Sequence, residues 1–73
     1  MRIIKVRKFG RRLVIQLDRN LPNDFQNHTD VSIGGKVFKD ALIAMSQGRS
    51  DRADLSVIDN GVTDIVGKEL ILL

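Results

Sequence analysis

The sequence predicts a mainly β chain with one short helix (α+β), folded as a small β-barrel or hairpin-built sheet that oligomerisation completes. Three observations carry this expectation. Apolar and polar residues alternate with period two through residues 3–9 and 12–18, the mark of strands buried on one face. Glycines and Asn/Asp clusters punctuate the chain at hairpin spacing. Finally, 73 residues without a cysteine make one small domain, 1–73, that buries only about 60–65% of its unfolded surface. Such a chain has neither a disulfide nor a thiolate-rich zinc site to reinforce it, which leaves association with another copy.

Taken in order, IIKVRKF (3–9) and RLVIQLD (12–18) are two strands separated by Gly10 and Arg11. In the second, Leu13, Ile15 and Leu17 share one face and Arg12, Gln16 and Asp18 the other, with Val14 the exception. In the first, Ile4 and Val6 oppose Lys5 and Arg7. Lys5, Arg7 and Arg12 then project from the solvent side of a hairpin, with Lys8 and Arg11 near its turn. Residues 20–30 are rich in Asn, Asp and Pro, which compete for local backbone bonds; Leu21 and Phe25 are placed to anchor a short helical turn there. VSI (31–33) is a brief strand stopped by Gly34-Gly35.

The predicted helix is KVFKDALIAMSQG, 36–48. Val37, Phe38, Ala41, Leu42 and Met45 recur at helical spacing, Lys36, Lys39 and Asp40 lie opposite, and Gly48 supplies a C-terminal stop. Its Val-Phe start also permits a strand over 36–47. A polar loop, 48–54, precedes a second hairpin over 55–66. A three-residue loop Asp59-Asn60-Gly61 pairs Leu55 with Ile65 and Ser56 with Asp64, which segregates apolar from polar faces and asks for positive φ at Gly61 alone. After Gly67, ELILL ends the sequence. Its apolar Leu70, Ile71, Leu72 and Leu73 should form a paired strand, in the core or at an oligomer interface.

Charge is distributed unevenly. Arg2, Lys5, Arg7, Lys8, Arg11 and Arg12 lie in the first twelve residues without an acid, while the other 61 carry six basic and nine acidic side chains. The opening is therefore net +6 and the remainder net −3. A basic cluster on a hairpin either guards a sheet edge against aggregation, meets an acidic protein, or contacts nucleic-acid phosphates. With no Tyr or Trp and only Phe9 in the patch, base stacking on single strands is disfavoured.

Catalytic and metal chemistry find no support. The aspartates are scattered over turns and strand ends, where solvated acids are expected, and the lone His28 sits in a loop, QNHTD. The four serines lack a nucleophile-elbow or Ser-x-x-Lys setting. Gly34-Gly35-Lys36 fails as a phosphate loop, because Asp30 stands where the first glycine belongs and Val37 follows the lysine. No catalytic residue, metal or cofactor is expected. With no apolar run of membrane-spanning length and no signal-peptide pattern after Met1, the expected location is cytoplasmic, away from any membrane.

KVRKFGRRLVIQLDRNL, residues 5–21, resembles the N-terminal half of the swapped-hairpin family of AbrB-like regulators and MazE-like antitoxins. The match lies in Lys8-Phe9-Gly10, Arg11-Arg12, Leu13-Val14-Ile15 and Arg19-Asn20-Leu21, with HTDVSI looking like the family's acidic turn and third strand. The chain departs from the pattern in having Asp18 where members place a proline, with Pro22 four positions later, and in its predicted helix near residue 45. The resemblance implies two chains intertwining their hairpins into one barrel. The basic strands would then face DNA, and residues 45–73 would complete the domain or bind a protein such as a toxin.

The expected function is thus that of a small basic, homo-oligomeric, non-enzymatic DNA-binding protein in transcription regulation. Duplex DNA is its partner, and Arg2, Lys5, Arg7, Lys8, Arg11 and Arg12 contact phosphates. The alternative is a structural or protein-interaction module, such as a virion component or protein inhibitor, that assembles through its apolar C-terminal strand.

Overall fold

A computed structural model describes residues 1–44, 53–62 and 64–73. It contains six strands: β1 (Ile3–Phe9), β2 (Arg12–Leu17), β3 (Thr29–Ile33), β4 (Lys36–Ile43), β5 (Asp54–Ile58) and β6 (Leu70–Leu72). All strand pairs are antiparallel, in the order β1-β2-β5-β4-β3-β6. The sheet curls around a core that includes Ile3, Ile15, Phe38, Leu55, Ile65 and Leu70, each 1% exposed or less. It is not a closed barrel. Among the described residues, backbone bonds tie this end of the sheet to the C-terminal segment only at the start of β1, through an isolated Arg2–Glu69 bridge and the bonds Ile3 N to Lys68 O and Gly67 N to Ile3 O.

The first hairpin forms as its alternation requires. Val6 faces Ile15, Lys8 faces Leu13, and Lys5 and Arg7 face Gln16 and Val14. One detail differs. A register shift between Ile3 and Lys5 turns Ile3 into the core and leaves Ile4 about half exposed, so Ile3, not Ile4, shares the inner face with Val6. Residues 20–28 form turns, with Leu21 buried beneath. Around Phe25 there is a single bond, Phe25 N to Pro22 O, rather than a helix.

The predicted helix over 36–48 is a strand as far as Ile43; Met45–Gly48 lie outside the described residues. Two features explain the correction. Gly34 and Gly35 both have positive φ, +57° and +84°, as a two-residue type I′ hairpin turn demands, and this lays β4 back against β3. Further along, the β3–β4 register shifts between Thr29 and Val31, with Asp40 at φ +58°. The extra residue of this bulge lets Phe38 and Ala41, three apart, both point inward at zero exposure. A bulged strand thereby imitates helical spacing.

The second hairpin is also corrected. Its loop is where expected: Gly61 has φ +86°, Gly61 N donates to Asp59 Oδ1 and Val62 N to Asn60 Oδ1. The chain does not fold back, however, because β2 and β4 already occupy both edges of β5. Leu55 pairs with Ile15 and Ile43 instead of Ile65. Among the described residues between 62 and 66 there is no strand, although Ile65 is still buried. Of the expected loop 48–54, only Ala53 and Asp54 are described, both buried. The apolar end pairs as predicted, with Leu70, Ile71 and Leu72 opposite Ile33, Ser32 and Val31. Leu70 fills this chain's own core, Leu72 is half-buried, and Ile71 and Leu73 are exposed.

Candidate nucleic-acid interface

The β1–β2 register sorts the six basic residues into different environments. Lys5 and Arg7 stand side by side on the outer face, where with Val14, Gln16 and Asp54 they line a small polar groove of about 130 Å³. Arg11 occupies the hairpin turn and Arg2 the position just before β1, both exposed. Among the described residues, Lys5, Arg7 and Arg11 make no ion pair.

Lys8 lies on the other face of β1 and reaches Asp59, Nζ to Oδ2 3.3 Å. The Asp59 carboxyl is held below its ordinary pKa, first by the Gly61 N–H and then by Lys8. The Lys8 side chain remains 70% exposed, so this pair is solvent-screened and weak.

Arg12 differs from the other five. Its guanidinium crosses β5 and reaches β4, donating from Nε to Ser56 Oγ (3.1 Å), from Nη2 to Ser56 O (3.2 Å) and to Asp40 O, and from Nη1 to Asp40 Oδ2 (2.9 Å). Its side chain is 28% exposed, and its donors are largely committed to this cross-strand network. The other oxygen of Asp40, Oδ1, lies 2.6 Å from His28 Nδ1. His28 and, second, Arg12 hold the Asp40 carboxyl below the usual carboxylate range. The lone histidine thus ends in an exposed loop, bonded to the bulge residue of β4. Sequence reasoning missed this network, because residues 12, 28, 40 and 56 share no local motif and meet only through strand order.

At the sheet's seam, Asp18 accepts from Arg2 N (3.0 Å), which lowers its pKa, and Glu69 is lowered by the N-terminal ammonium 2.7 Å away. Among the described residues no three His, Cys, Asp or Glu side chains gather to hold a metal ion, and no helix is long and apolar enough to cross a membrane. Family models, curated proteins and solved structures all fail to match the chain.

Proposed function

We propose that the protein is a small, homo-oligomeric DNA-binding regulator that contacts backbone phosphates with the solvent face of its β1–β2 hairpin. The observation that carries this reading is the presence of Lys5, Arg7 and Arg11 on one hairpin, exposed and without ion pairs among the described residues. Surface cations left unpaired and adjacent raise the local positive potential that attracts a polyanion. Arg2 extends the line along β1. Lys8 contributes from the opposite face, and Arg12 holds the platform. The resemblance of residues 5–21 to AbrB- and MazE-like hairpins supports the same reading. Exposed Ile71 and Leu73 support self-association through the C-terminal strand.

A salt titration of duplex DNA binding tests the proposal. Affinity should fall steeply with salt, and Lys5→Ala, Arg7→Ala and Arg11→Ala should each lower the log–log slope by about one unit on any sequence. A salt-independent affinity, or no binding in low salt, refutes it.

A further inference from the structure

Among the described residues, β1 is an edge strand whose strand partner is β2 alone. Leu17 N donates to Ala53 O at 2.7 Å and Asp59 N to Arg11 O at 2.9 Å, so the odd-numbered residues at both ends of β2 bond toward β5. Arg12, Val14 and Gln16 therefore bond toward β1, and their partners Phe9, Arg7 and Lys5 commit their backbone groups to β2. Val6 and Lys8, between them, direct N–H and C=O outward from the sheet. Past Ile3, no backbone group of β1 bonds to a described segment other than β2.

Beside this edge, unpaired among the described residues, the seam opens into a groove of about 470 Å³, lined chiefly by Val6, Leu13, Val62 and Val66, with Lys8 and Asp59 also on its wall. Val66 is 56% exposed. Hydrogen-bonding edge, apolar groove and cationic face thus lie along the same few residues.

We propose that this seam receives an extended acidic segment of another protein as an added β-strand on β1. The residue opposite Val6 shares its inward face and seats an apolar side chain in the groove. The residues on either side point to the outer face, opposite Lys5 and Arg7, where carboxylates complement the charge. The segment therefore reads acidic–apolar–acidic. A second copy's β1 is a poor occupant, because its own Lys5 and Arg7 would meet like charges across the pair. The inference goes beyond the phosphate reading and does not depend on it.

The test uses an eight-residue peptide of alternating Glu and Val, with a block peptide of the same composition as control. Amide hydrogen exchange on the full chain should show Val6 and Lys8 exchanging fast in the free protein and slowed by the alternating peptide only. Lys8→Pro deletes one outward N–H, a substitution edge strands tolerate, and should bind about tenfold more weakly than Lys8→Ala. Val66→Asp, at an exposed position, places a like charge in the groove and should weaken binding similarly. Equal binding of the block peptide, or unaltered exchange at Val6 and Lys8, overturns the proposal. So does prior protection of these amides in a protein that scatters light as a dimer, which assigns the seam to a second copy. DNA binding is not a readout, so loss of the phosphate reading leaves this result unchanged.

Discussion

Arg12→Ala and Arg7→Ala should separate two kinds of arginine that the sequence places five residues apart. In Arg12→Ala, Ser56 Oγ and O and the Asp40 carbonyl each lose a donor. A net hydrogen bond of this kind contributes about 0.5–1.5 kcal/mol. Exposure of Asp40 lets water replace part of the loss, so nothing is counted for its carboxylate. The three remaining bonds, partly rehydrated, give a destabilisation of about 1–3 kcal/mol. For a domain this small that lowers Tm by roughly 4–8 °C per kcal/mol. Among the described residues Arg7 makes no ion pair, and it is exposed, so Arg7→Ala should stay within about 0.5 kcal/mol of the parent while losing DNA affinity. The assay is thermal melting by circular dichroism beside DNA binding at several salt concentrations. If Arg12→Ala melts like the parent and loses the same salt slope as Arg7→Ala, its guanidinium is a phosphate contact and the cross-strand network is not structural.

Three further outcomes follow from the same geometry. Asp18, Asp40, Asp59 and Glu69 all have pKa values lowered by their bonds in the folded chain; depressed carboxylates add stability that is complete above their unfolded values, near pH 4, and is lost as pH falls through the folded ones. Tm should therefore drop between pH 5 and pH 2, a window of roughly two to three units around those values, and a flat profile would show that these bonds do not persist in solution. Gly61→Val should cost about 1–3 kcal/mol through backbone strain alone, since no atom lies within 4 Å of an added Cβ there; an unchanged urea midpoint would mean the loop takes another conformation. Ile71→Asp, at a 56% exposed position, should leave folding intact and weaken self-association, read by light scattering across micromolar concentrations; an unaltered assembly places the interface elsewhere.

Much of the site's raw material was legible because it is local. Period-two alternation, with Gly10-Arg11 between, suffices for the β1–β2 hairpin, and with it for the shared outer face of Lys5 and Arg7. The apolar end likewise had to pair, since four consecutive apolar residues would otherwise expose their side chains and unpaired backbone groups together. Residues 36–43 were misread because a bulge at Asp40 shifts the pleat by one residue, and the resulting inward spacing of Phe38 and Ala41 matches a helical turn. The hairpin over 55–66 looked sound in isolation and failed because both edges of β5 were claimed by strands far away in sequence. The same long-range order decides which charges are available. Sequence by itself determined that six cations cluster at one end of the chain. Only the tertiary structure decided that Arg12 is bonded across β5 and β4 while Lys5, Arg7 and Arg11 face water, because ion pairing depends on which strands become neighbours, and strand order is a property of the whole sheet.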